Sequence, residues 1–185
     1  MCGVAGMKPS SVLLLPGWQN SGPDHWQSRW ERLHGYCRVE QHDWMHPLRG
    51  DWIARLEDVL LALDEPAVLV AHSLGCVHAA AWAAHSKNTG RVKGALLVAP
   101  PDVEREDLRP LLSSWAPVPL QPLPFPSLVL ASSDDPFCAP ARAAQFAAAW
   151  AAEWVDLGPR GHLNADSSLG DWPEAHEQLL RLMRL

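Results

Sequence analysis

Three residue types that can together activate a hydroxyl group follow one another along this chain: Ser73, then Asp134 and Asp135, then His162. A serine hydroxyl is a poor nucleophile until a neighbouring base takes its proton. Histidine suits that task because it titrates near neutrality, and a buried carboxylate can fix its orientation. Ser73 sits in the pentapeptide Ala71-His72-Ser73-Leu74-Gly75. An apolar run over 67–70 leads into it, and a small-residue stretch over 76–84 leads out. A sharp strand-to-helix turn of this kind lifts a serine Oγ clear of the sheet edge and tolerates only small residues two places either side. Ala71 and Gly75 meet that need, Ala71 standing where glycine is usual. Taken alone, the pentapeptide also fits an ordinary turn with Ser73 as a helix cap. The acid and the histidine that follow, each after a later apolar run, favour the chemical reading.

The other candidates fare less well. One of Asp134 and Asp135 can be a turn residue before Pro136. His72 adjoins the serine, but neighbours across a sharp turn point apart. His42 and His46 share a loop without a third ligand at fixed spacing, so no metal is expected. An oxyanion needs two backbone N–H groups. Leu74, after the nucleophile, and Trp18, in the loop after the first apolar run, are the expected donors. Trp18, Trp44, Trp115, Phe137 and Leu163 flank the same loops and are expected as pocket walls.

These residues need a scaffold that brings strand ends together. Runs over 11–15, 67–71, 94–99 and 127–132 are apolar at nearly every position, as in parallel strands buried on both faces. Weaker strands are expected over 37–40, at a sheet edge, and over 153–157. Between them fall helices: one capped by Asp24 with Trp26, Trp30 and Leu33 on one face and Gly35 as its stop; one from Asp51 to 63; one over 76–85; one over 141–152; and one over 173–185. The stretch 100–126 holds eight of the chain's 17 prolines and should be irregular, with a short helix near 106–115. Alternating strands and helices predict a doubly wound, mostly parallel six-stranded α/β sheet in one domain over 11–185, preceded by a flexible stretch over 1–10. Ligands bind such sheets beyond the C-terminal strand ends, where Ser73, the Asp pair and His162 all fall.

Composition narrows the partners. The chain has 185 residues, 48% of them apolar and 19% charged, enough for a core of its own. Its net charge of −6 and lack of a Lys/Arg cluster argue against nucleic acid or an anionic membrane. No apolar run is long enough to cross a bilayer, and the first ten residues carry no long apolar leader region. Cys2, Cys37, Cys76 and Cys138 have no paired spacing and are expected as reduced thiols in the cytoplasm.

Several stretches carry a resemblance beyond these patterns: 11–17, Asn20-Ser21-Gly22-Pro23-Asp24-His25-Trp26-Gln27, His72-Ser73-Leu74-Gly75, Ser133-Asp134-Asp135-Pro136-Phe137 and Gly161-His162-Leu163-Asn164. Together they resemble the retinoblastoma-binding protein 9 and YdeN-like family of small α/β-hydrolases over nearly the whole chain. That resemblance implies a lidless, cofactor-free serine hydrolase with Ser73, Asp135 and His162 as its triad, Asp135 taking the acid role before Pro136-Phe137. No L-x-C-x-E motif occurs, so retinoblastoma protein is not an implied partner. The expected activity is cleavage of a small ester, thioester or amide by a monomer or weak homodimer. The competing readings are a binding or scaffold protein on the same fold and an acyltransferase with the same triad.

Overall fold

The computed structural model describes residues 11–184. The expected flexible stretch 1–10 lies outside the described residues. The chain runs β1 (Val12–Leu15), α1 (Trp26–His34), β2 (Cys37–Arg38), α2 (Arg49–Leu61), β3 (Ala67–His72), α3 (Leu74–His85), β4 (Val92–Val98), β5 (Ser127–Ala131), α4 (Pro140–Ala149), β6 (Glu153–Asp156) and α5 (Pro173–Leu182). The six strands form one sheet in the order β2-β1-β3-β4-β5-β6, and every pairing is parallel.

Strand alternation divides the core. Leu13, Leu15, Leu69, Ala71 and Leu97 face one side and pack with Trp52, Leu56, Val77, Trp82, Phe146 and Trp150 from α2, α3 and the α4 segment. Val12, Leu14, Val68, Val70, Leu96 and Val98 face the other and pack with Trp26 and Trp30 of α1 and Leu179 and Leu182 of α5. Both faces are covered, which is why the inner strands read as continuous apolar runs. Strand order reverses between β1 and β3, so a crevice opens there beyond their C-terminal ends.

Some expectations shift. α1 is capped by His25, not Asp24: the His25 side chain accepts from the Gln27 amide. Its stop at Gly35 stands, with φ at 66°. Leu33 is 57% exposed, because the buried face runs through Trp26, Gln27, Ser28 and Trp30 instead. α2 begins at Arg49 without a side-chain cap, leaving Asp51 in its first turn, where a negative charge suits the helix dipole. The helix expected near 106–115 is a series of turns ending in a short 3-10 segment, Ser113–Trp115. Cys76 and Cys138 are free and buried, as expected of reduced thiols, and Cys2 lies outside the described residues. No helix among the described residues is long and apolar enough to cross a membrane.

Candidate active site

Ser73 occupies the turn between β3 and α3 with φ 54° and ψ −125°, a conformation that L-residues rarely adopt. Its amide donates to the Val98 carbonyl, 2.9 Å away, which ties the turn to β4. The packing shows why small residues surround it. A Cβ on Gly75 would lie 2.1 Å from the Leu15 carbonyl oxygen. A Cβ on Gly17 would lie 2.8 Å from the Ser73 Cβ and 3.3 Å from the Leu74 nitrogen. The loop after β1 therefore lies directly against the turn. Leu74 is the first residue of α3, where amides have no intrahelical acceptor. Leu74 and Trp18, the two expected oxyanion donors, both line the cavity that holds Ser73.

His162 completes the arrangement. Its Nε2 lies 2.8 Å from Ser73 Oγ, and its Nδ1 lies 2.9 Å from both carboxylate oxygens of Asp135. Asp135 and His162 are 9% and 8% exposed, so their contact is shielded from water. A carboxylate only accepts, so His162 carries its hydrogen on Nδ1 and presents a lone pair on Nε2 to the serine hydroxyl. Asp135 Oδ1 also accepts from the Phe137 amide at 2.9 Å. Asp134 does not reach the histidine ring. It accepts from Ser132 Oγ and from the Gly161 amide, both at 2.7 Å, and so holds the loop that carries His162. Those bonds lower its carboxyl pKa, the Ser132 hydroxyl first.

A cavity of about 360 Å³ opens onto Ser73 and His162. Trp18, Leu74, Leu108, Leu112 and Phe137 form its apolar side; Gln19, Asn20, His25, His72 and Asn164 form its polar side. Among the described residues, no Asp, Glu, Lys or Arg lines it. Of the expected walls, Trp18 and Phe137 are in place. Trp44 instead packs edge-on against Trp52, and Trp115 is buried against Trp52 and His78. Leu163 is turned into the core, and its carbonyl accepts from the Trp26 indole at 2.8 Å. Leu108 and Leu112, from the proline-rich stretch, take the places assigned to these residues.

The segment over 20–28 does more than its helix-start pattern announces. Gln27 is fully buried; its side-chain amide donates to the Leu15 and Val70 carbonyls, at 3.3 and 3.0 Å, where β1 and β3 end. Ser21 Oγ donates to the Gln27 side-chain oxygen Oε1 at 2.7 Å. The buried Arg38 guanidinium donates to Ser28 Oγ and the Ser21 carbonyl, at 2.6 and 3.0 Å, and also to Asn20. This network sets the loop beside Ser73. Sequence patterning could flag Gln27 only as a polar residue on an apolar helical face.

The family model described as serine hydrolase matches residues 12–181. The chain belongs to the serine hydrolase family. Among solved structures, this hydrolase is similar to a protein described as a YdeN-like hydrolase from Pectobacterium atrosepticum. The two are 30% identical with a TM-score of 0.81, over 92% of this chain and 89% of the other. The ydeN gene product of B. subtilis shares the fold at 19% identity and a TM-score of 0.72, over 94% and 98% of the two chains. A thermophilic esterase from Thermogutta terrifontis does so at 21% identity and a TM-score of 0.61, over 92% and 87%. No curated protein sequence matches the chain. The hydrolase is thus a YdeN-like member of the family, built on the α/β-hydrolase fold.

Proposed function

We propose that this hydrolase cleaves a small ester, thioester or amide with an uncharged acyl group, through an acyl-enzyme on Ser73. The carrying observation is the hydrogen-bonded chain Ser73–His162–Asp135, with 2.8 Å between Ser73 Oγ and His162 Nε2. Ser73 Oγ attacks the acyl carbon as His162 Nε2 takes its proton. The oxyanion rests on the Leu74 and Trp18 amides. The intermediate collapses as His162 returns the proton to the leaving group. Water, deprotonated by His162, then attacks the acyl-enzyme and frees Ser73. Throughout, Asp135 keeps the Nδ1–H tautomer and stabilises the imidazolium. The uncharged, half-apolar lining supports the acyl class, since a charged acyl group would lose its hydration there without a counter-ion.

The test is fluorophosphonate labelling followed by intact mass and peptide mapping. One adduct on Ser73, absent from Ser73→Ala, is the expected result, together with a loss of turnover on the order of 10⁶-fold in that variant. On p-nitrophenyl esters, acetyl and butyryl groups should outpace succinyl by about tenfold or more, roughly 1.4 kcal/mol of uncompensated desolvation. An adduct elsewhere, or none on folded protein, would overturn the reading.

A further inference from the structure

His72 immediately precedes the nucleophile, is 5% exposed, and takes no part in the steps above. Its Nε2 lies 2.9 Å from the backbone oxygen of His162. A carbonyl only accepts, so that nitrogen carries the hydrogen. Burial, followed by the fields of His25 and His162, pushes the His72 pKa well below its ordinary value, so the ring is a neutral donor. The ring is held on several sides: His25 at 4.6 Å, His162 at 4.9 Å and Trp26 at 6.1 Å between centroids.

The loop it grips needs holding. Gly161 and Leu163, either side of His162, both have positive φ, at 62° and 51°. Leu163 has no glycine-like freedom there, so the surroundings must supply the constraint. They do so one residue at a time: Ser132 Oγ accepts from the Arg160 amide, Asp134 from the Gly161 amide, and the Trp26 indole donates to the Leu163 carbonyl. At His162 itself the grip is His72.

We propose that His72 is a positioning residue: its Nε2–H fixes the His162 backbone so that the imidazole spans Ser73 Oγ and Asp135. The inference rests on the Ser73 reading above. The serine and the group that holds its base are adjacent residues at the end of one strand, so nucleophile and base move together. A neutral donor suits the place, because a cation beside His162 would oppose the imidazolium formed during turnover.

Three variants separate this role from simple packing. His72→Leu keeps bulk without a donor, His72→Gln carries an amide N–H at about the Nε2 position, and His72→Asn carries one that falls short. Each is compared with the wild type by kcat and KM on p-nitrophenyl acetate, by the fluorophosphonate labelling rate, and by Tm. His72→Leu and His72→Asn should lose about 10- to 100-fold in kcat and labelling, the scale of a misplaced reacting group, with KM within about twofold. His72→Gln should recover most of that loss. The downfield NMR resonance of the His162 Nδ1 proton should persist in His72→Gln and weaken in the other two. Should His72→Leu fail to fold, His72→Asn makes the same comparison. Wild-type labelling with unimpaired donor-less variants, or a His72→Gln no better than His72→Leu, overturns the positioning role alone. A wild type that fails to label on Ser73 overturns it together with the reading beneath it.

Discussion

At the scale of single residues, the site depends on atoms that are absent as much as on those present. Gly75 has no unusual φ, so its value lies in what a side chain would strike. The nearest obstacle is the Leu15 backbone oxygen, 2.1 Å from where an alanine methyl would stand, and backbone in a central strand cannot step aside. Gly75→Ala should therefore cost about 3 kcal/mol or more, the upper range for overpacking, and displace Ser73 in any molecules that still fold. Gly22 gives the contrast: nothing lies within 4 Å of the same added atom. Gly22→Ala should keep the wild-type urea midpoint and labelling rate. A folded Gly75→Ala protein that labels normally would show that the β1 end can yield, against the packing described. Neighbouring chemistry is just as local. Cys76 and Cys138 sit close to the site, yet burial raises the Cys76 thiol well above its ordinary pKa and pushes Cys138 up to about 12. Neither is poised to compete with Ser73 as a nucleophile.

At the scale of elements, indole N–H groups join loops to the body. Trp115 donates to the Pro47 carbonyl at 2.9 Å, Trp150 to Pro119 at 2.8 Å, Trp30 to Asp171 at 2.6 Å and Trp26 to Leu163 at 2.8 Å. The proline-rich stretch 100–126 is gripped again by Arg142, which lies 3.4 Å from Asp102 and also pairs with Glu104. Because Leu108 and Leu112 of that stretch line the cavity, its anchoring bears on substrate fit. Arg142→Ala should raise KM several-fold with kcat nearly unchanged and speed proteolysis within 100–126. An unchanged KM would separate that anchor from the cavity. This is also where the sequence stops being legible. Strands apolar at every position, the Ser73 turn and the Ser–Asp–His order could be read because each is a local pattern repeated after a strand. The tryptophans could be read only as core candidates, since Trp26 and Leu163 stand 137 residues apart. For the same reason Trp44, Trp115 and Leu163 passed for pocket walls: which way a loop residue faces depends on partners that spacing does not disclose. The segment 106–115 has helix-forming residues, but Pro110 in its middle lacks an amide N–H and interrupts the helix, so it runs as turns.

At the scale of the whole molecule, the buried histidines tie the fold to pH. His25 packs against His72, its Nε2 has no hydrogen-bond partner among the described residues, and its pKa falls to about 3 through burial, then through the fields of Arg38 and His162. His78, inside α3, donates from Nε2 to the Trp52 carbonyl at 2.8 Å; burial lowers its pKa to about 4. His72 is lowered too, by burial first. In each case the unfolded chain binds the proton more readily than the folded one. Above about pH 6.5 both states are neutral and the groups are silent; below it, protons drawn to the unfolded state remove stability as pH falls toward the folded values. At pH 5, His25 and His78 each withdraw about 2 kcal/mol, and His72 acts in the same direction. The two of known size together withdraw about 4 kcal/mol, close to the lower end of the net stability of an ordinary domain, about 5–15 kcal/mol. Tryptophan fluorescence in urea should therefore show a steep fall in stability between pH 7 and pH 5. His78→Gln, which keeps an amide donor toward Trp52 but cannot titrate, should flatten the slope by about one proton. Stability that stays level over that interval would mean that the three rings reach water or a counter-charge in solution, contrary to their placement in the core.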